Sequence, residues 1–245
     1  EKQLEFLAED KPMELVLPCL FSELESDALK NILKKINKVN FLQHIIIGLD
    51  KANQAQFEYA KKYFSMLNTS YSILWNDGPR LKKLQKELNK KELADVEDGK
   101  GKNVWYCIGF AIARNSAEAV VFHDCDIKTY DESILIKLLY PLLNESMDYS
   151  FSKGYYSRYA DNKLNGRVTR LLVTPLVKSL MKLFGNNDYL DFIDAFRYPL
   201  AGEYALKKSL LKEIRIPSDW GLEIGILSEL QRNNSSKLCC QVDLA

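Results

Sequence analysis

Residues 120–127, VVFHDCDI, hold the densest chemistry in the sequence: an apolar run leads straight into two carboxylates, Asp124 and Asp126, spaced i and i+2. Alternate residues of a strand share a face, so both acids can meet one ligand where the strand ends. One would accept from a ribose or a bound water, the other ligate a divalent cation. Magnesium and manganese favour oxygen donors and bridge to phosphate oxygens, which suits a departing diphosphate. A solvated turn is the competing reading of Asp-x-Asp taken alone, and the position directly after a strand favours the ligand. His123, inside the apolar run, reads as a core histidine rather than a metal ligand. A second candidate is Gly99-Lys100-Gly101-Lys102, a basic turn ahead of a buried helix. Its amides and ammonium groups suit a diphosphate at a helix N-terminus, although the full triphosphatase loop pattern is lacking and a solvated basic loop is the alternative. Pro18, Cys19 and Leu20 after a first strand, and Asp50 after a second, fall where an open α/β sheet receives a base and ribose. Glu223 sits among apolar residues in WGLEIG, where a helix N-terminal charge or a buried ion pair are its other readings.

These residues need strands to carry them. MELVLP at 13–18 is a short apolar run closed by proline, as in a buried parallel strand. Residues 26–39 place Leu29, Ile32, Leu33 and Ile36 at helical spacing, and 45–47 form a second strand core, making a βαβ unit. A helix is expected over 57–67, a strand over 71–75 ended by Asn76-Asp77-Gly78-Pro79, and a helix followed by a polar loop over 81–99. A buried helix over 103–114 leads to a fourth strand at 119–122. The second half reads as a strand near 149–153 and a long helix over about 168–184. This order predicts one continuous three-layer α/β/α domain with a mixed central sheet, its ligands beyond the carboxyl ends of the strands. Residues 13–127 would form the nucleotide half and 128–245 the acceptor half.

Composition narrows the function classes. The 245 residues are 47% hydrophobic and 27% charged, ordinary for a folded domain. A formal net charge of +1 creates no overall field for nucleic acid, so anion binding must be local. The strongest apolar run, 104–113, is far shorter than the roughly 20 residues a membrane span needs. Five cysteines, Cys19, Cys107, Cys125, Cys239 and Cys240, lack metal-ligand spacing or a secreted framework and fit reduced thiols in a cytoplasm. The sequence opens at Glu1 without a signal-like segment and ends at Ala245 just after a strand-like stretch, and a missing C-terminal continuation is expected.

VLPCL at 16–20, GKG at 99–101, VVFHDCDI, GRVT at 166–169, PLAGEYA at 199–205 and WGLEIG at 220–225 occur in the order of a known family. Over nearly its whole length the sequence resembles the glucosyl-3-phosphoglycerate synthases, retaining glycosyltransferases of the GT-A fold. The resemblance implies a nucleotide-sugar donor such as UDP-glucose, 3-phosphoglycerate as acceptor, a divalent metal (Mg2+ or Mn2+), a homodimer, and a product on the route to the compatible solute glucosylglycerate. It places Asp124 at the donor ribose, Asp126 on the metal, Lys100 at the diphosphate and Glu223 at the sugar, with Gly166, Arg167, Thr169 and Trp220 toward the acceptor. Pro18, Leu20, Glu23 and Asp50 complete the donor side, and Asp126 and Glu223 carry the catalytic assignment.

Departures from the family pattern bear on these expectations. Phe21 and Ser22 follow Leu20 where the family has asparagine and glutamate, so Glu23 would supply the acid in shifted register. Arg170 replaces a glutamate after GRVT, and Trp220 a tyrosine, both on the acceptor side. The family's histidine metal ligand lies shortly beyond the strand matching 238–244. Two rivals remain: a nucleotidyltransferase, which would release pyrophosphate from a nucleoside triphosphate, and a catalytically silent GT-A-like binding module.

Overall fold

The computed structural model describes residues 2–93, 98–156, 159–160, 163–164, 166–185, 187–233 and 236–245. After a short helix α1 (Lys2–Ala8), strand β1 (Met13–Leu20) runs into a 3-10 turn (Phe21–Glu25) and helix α2 (Asp27–Ile36). Then come β2 (Leu42–Asp50), α3 (Gln54–Phe64), β3 (Tyr71–Trp75), α4 (Pro79–Lys90), α5 (Lys100–Arg114), β4 (Ala119–Phe122) and α6 (Ser133–Leu143). The second half adds β5 (Phe151–Tyr155), the two-residue strands β6 (Tyr159–Ala160) and β7 (Lys163–Leu164), and a wide π-helical turn (Thr169–Val173) continuing into α7 (Thr174–Phe184). It closes with α8 (Asp188–Asp194), β8 (Tyr204–Lys207), α9 (Lys208–Leu211), α10 (Leu222–Arg232) and β9 (Cys239–Asp243).

Seven strands form one sheet in the order β3-β2-β1-β4-β8-β5-β9. β1 is parallel to β2 and β4, whereas β8 is antiparallel to both β4 and β5, which makes the sheet mixed. The near-continuous apolar sequences of β1 and β2 follow from burial on both faces. Leu15, Leu17, Ile45 and Ile47 face one core, Val16 and Ile46 the other, and all are fully buried. Each such side chain contributes on the order of 1.5–3 kcal/mol.

The helices obey the same logic. In α2 the buried residues are the four at helical spacing, Leu29, Ile32, Leu33 and Ile36, and Ser26 Oγ caps the start by accepting from the Leu29 amide at 3.2 Å. α3 begins at Gln54, earlier than its apolar pattern suggests, because Asn53 and Gln56 form a reciprocal capping box. β2 is longer than its apolar core, since Leu42 and His44 pair with β1. His44 fits there by hydrogen bonding through both ring nitrogens to Ser70 and Ser72, each at 3.0 Å. α5, which carries Lys100, is pinned to β2 by the Asn103 side-chain amide donating to the Gly48 carbonyl at 2.7 Å.

Candidate active site

The turn after β4 and the first turns of α5 and α10 converge on one cleft. It is lined by Lys100, Asp124, Asp126, Tyr198, Leu200, Asp219, Trp220, Leu222 and Glu223, with a cavity volume of about 220 Å³. At its centre the Lys100 ammonium bridges two acids, 2.6 Å from Asp124 Oδ1 and 2.9 Å from Glu223 Oε1. Burial disfavours the Lys100 charge, but the charges of Asp124 and then Glu223 outweigh it and hold the ammonium protonated well above the usual lysine range. Asp126, on the same turn as Asp124, is exposed at the rim.

Two close approaches fix this geometry. A methyl group on Gly202 would sit 2.2 Å from Asp124 Oδ2, so the PLAGEYA segment backs the carboxylate closely. A methyl on Gly101 would sit 2.1 Å from the Pro217 carbonyl, so α5 can start against the segment before α10 only with glycine there. This changes the reading of Gly99-Lys100-Gly101-Lys102. It is the N-cap and first turn of α5 rather than a loose loop, and two of its amides are already taken. The Gly101 amide donates to Asp219 O at 3.2 Å and the Lys102 amide to Ser218 O at 2.7 Å. Lys102 is nearly buried and pairs with Asp98, which leaves the Lys100 side chain as the part of the motif that reaches the cleft.

Glu23 lies on the 3-10 turn after β1, where one carboxylate oxygen accepts from the Leu20 amide at 2.7 Å. Burial pushes its carboxyl up, the Leu20 amide pulls it back, and the charges of Asp126 and Asp124 add to the rise. Glu23 thus feels the charges of Asp124 and Asp126, and among the described residues Lys100 is the ammonium paired within this group of acids. Such an excess of oxygen donors fits a hard divalent cation, with Asp126 the accessible ligand. Neither histidine is available: His44 is held by two serines, and His123 is fully buried with Nδ1 2.9 Å from the Tyr130 hydroxyl, burial pushing it down to about 3.

The remaining candidates separate. Pro18 and Leu20 sit on β1, Leu20 opposite Asp50 in the parallel register with β2, at the same sheet edge but outside the lining of the cleft. Trp220 is 84% exposed at the rim. Gly166 adopts a left-handed backbone with φ 78°, Arg167 is exposed, and Thr169 is buried with its hydroxyl lacking a hydrogen-bond partner among the described residues. None of these three lines the cleft. Lys153 is buried beneath the site, donating to Ala201 O at 2.8 Å and lying 5.4 Å from the Tyr204 ring centroid. Tyr198 and Asp219 line the cleft without having been singled out; the available signal was adjacency, Tyr198 preceding PLAGEYA and Asp219 preceding WGLEIG.

No family model matches the chain. Similarity to individual proteins is extensive: it is 39% identical to glucosyl-3-phosphoglycerate synthase of Persephonella marina over 244 residues, covering 100% of this chain and 60% of that protein. The chain is a homologue of the glucosyl-3-phosphoglycerate synthases. The synthase of Methanococcoides burtonii is likewise 39% identical, over 99% of this chain and 60% of its own length. The chain therefore spans about 60% of the length of these two synthases. Its fold is shared with a crystal structure of the Mycobacterium tuberculosis synthase in complex with Mn2+, UDP-glucose and phosphoglyceric acid. That match has a TM-score of 0.72 at 22% identity, covering 99% of this chain and 73% of the other. The GT-A type of α/β fold expected from the sequence is the one found.

Proposed function

We propose that this chain is the catalytic part of a metal-dependent retaining glycosyltransferase that moves glucose from UDP-glucose to 3-phosphoglycerate. The observation that carries the reading is the Lys100 ammonium held between Asp124 and Glu223 at the cleft that Asp126 borders. An ammonium has three N–H donors, and two acids leave one for a phosphate oxygen. Lys100 then stabilises negative charge growing on the departing diphosphate, an interaction stronger in the transition state than in the ground state. Asp126 would hold the divalent cation, which supplies further stabilisation of that charge. Glu223, fixed by Lys100 in the first turn of α10, accepts from sugar hydroxyls. Asp124 orients Lys100 on one side and meets the ribose on the other, with Pro18, Leu20, Glu23 and Asp50 along the donor edge. Retention requires the acceptor hydroxyl to approach the anomeric carbon from the face the diphosphate leaves.

On the acceptor side, Arg167 offers a planar pair of donors for a phosphate, and the Thr169 hydroxyl, without a hydrogen-bond partner among the described residues, supports a role for GRVT in binding. Homodimerisation is part of the proposal. So is a cytoplasmic location, supported by all five cysteines being free thiols. No helix among the described residues is long and apolar enough to cross a membrane. The test pairs nucleotide sugars with glycerate and 3-phosphoglycerate on the full-length protein, with and without Mn2+. Metal-dependent release of UDP with 3-phosphoglycerate is expected. Release of pyrophosphate from a nucleoside triphosphate, or nucleotide binding without turnover, would overturn the reading in favour of a nucleotidyltransferase or a silent binding module.

A further inference from the structure

We propose that Cys19, Glu23 and Cys125 form a binding site for a thiophilic divalent cation of the zinc and cadmium class, distinct in its chemistry from the hard-cation position at Asp126. The sequence gives no metal-ligand spacing for these cysteines, and the sheet creates the proximity. β1 and β4 are parallel neighbours with Val16 opposite Phe122, and Cys19 and Cys125 each lie three residues further on. The odd step along β1 carries Cys19 to the face opposite Val16, and the turn after β4 brings Cys125 to the same side. Val16 and Phe122 pack in one core, whereas both cysteines enter the other. Glu23 folds back over them from the 3-10 turn. One donor atom from each of the three residues lies within 4.8 Å of the other two.

The chemistry selects the ion. Two sulfurs and one oxygen suit a borderline-soft cation with tetrahedral preference, and they disfavour magnesium and manganese, which take oxygen. Zinc–sulfur and zinc–oxygen bonds of about 2.3 and 2.0–2.2 Å require donors that lie within 4.8 Å of one another to draw together by no more than about 1 Å. Three protein donors leave a fourth position for water. Both thiols are 1% exposed, so this is an enclosed pair of sulfurs with one partly accessible carboxylate, not a surface cluster. Binding forms two metal–sulfur bonds and releases two thiol protons to the buffer. The bound cation would draw Glu23 from the Leu20 amide and fix the turn of Asp124 and Asp126 from below.

The experiment uses the full-length protein, reduced with a phosphine and freed of metal by a chelator. Cys239 and Cys240, adjacent and half-buried, are removed first as Cys239→Ser/Cys240→Ser so that they cannot contribute. Titration of this protein with cadmium should give one equivalent bound with a thiolate-to-cadmium ultraviolet band, displaced by zinc and untouched by excess magnesium. Adding Cys125→Ser or Cys19→Ser should abolish the band, with circular dichroism confirming the fold. Glu23→Gln, which keeps both thiols, should weaken binding by about tenfold or more. If either serine variant fails to fold, the other and Glu23→Gln decide. No cadmium bound by the Cys239→Ser/Cys240→Ser protein, a band that survives loss of a folded variant's thiol, or unchanged affinity in Glu23→Gln would each overturn the proposal.

Discussion

Gly202→Ala tests whether catalysis depends on where Asp124 stands rather than merely on its presence. The added methyl group would lie 2.2–2.6 Å from all three atoms of the Asp124 carboxyl group, so the carboxylate must swing away. The obstructing atoms are the free end of a side chain. Gly202 is not one of the two described glycines with left-handed backbone, Gly166 and Gly185. The fold should therefore accept alanine with a stability change within about 1 kcal/mol. What is lost is the 2.6 Å contact with Lys100. A charge-assisted hydrogen bond is worth about 1.5–3 kcal/mol, and about 1.4 kcal/mol is a factor of ten, so kcat/KM should fall about ten- to a hundredfold. The assay is initial-rate UDP release from UDP-glucose and 3-phosphoglycerate, alongside thermal unfolding. Because both changes act through one contact, Gly202→Ala combined with Asp124→Asn should be little worse than the poorer single variant. Unaltered kcat/KM in a folded Gly202→Ala protein would refute the argument, and so would effects that multiply in the double variant.

Lys100→Met should weaken calorimetric binding of UDP about tenfold or more while changing uridine affinity little, since the ammonium acts on phosphates; equal losses would remove it from the diphosphate. Asp126→Ala should abolish stimulation of turnover by Mn2+ and leave the unfolding midpoint unchanged, because an exposed rim carboxylate contributes little to stability; full metal-dependent activity in the variant would reassign the cation. Arg167→Ala should raise the KM for 3-phosphoglycerate about tenfold with the donor KM unaffected and a smaller effect on glycerate, and equal harm to both acceptors would exclude phosphate recognition. Burial pushes the Lys153 ammonium down from 10.5 to about 8, so between those values the unfolded chain binds the extra proton. Wild-type stability relative to Lys153→Met should therefore rise as pH climbs through that window, and denaturation midpoints that run parallel from about pH 7 to pH 10 would contradict it.

Much of the fold was legible because the two-sided burial of parallel strands writes itself as unbroken apolar runs. The four strands at 13–18, 45–47, 71–75 and 119–122 appear at those places, extended where pairing with a neighbour rather than hydrophobicity sets the ends, as at Leu42 and His44. The cleft was legible in part. Lys100, Asp124, Asp126, Trp220 and Glu223 line one cavity, while Arg167 and Thr169 stand outside its lining. Partners distant in sequence could not be read. Nothing local indicates that Ser218 and Asp219 occupy the amides of Gly101 and Lys102, or that Cys19 and Cys125 meet. The first follows from how α5 packs against the segment before α10, and the second from β1 and β4 being neighbours, and neither arrangement is encoded in any single segment.

The joint between α5 and the segment before α10 has a further consequence. Two backbone hydrogen bonds and a glycine contact weld the start of α5, with Lys100, to the chain just ahead of Glu223, so the ammonium and the acid proposed to hold the sugar share one mechanical base. Any opening or closing of the cleft must carry them together, and selectivity for different donors has to be tuned at the opposite wall. Lengthening residues 217–221 by even one residue would shift that base as a unit and move Lys100 and Glu223 away from Asp124 and Asp126 at once. Variation among related enzymes is therefore expected to concentrate around Pro18, Leu20 and Asp50, where the base and ribose would lie, and to spare this weld.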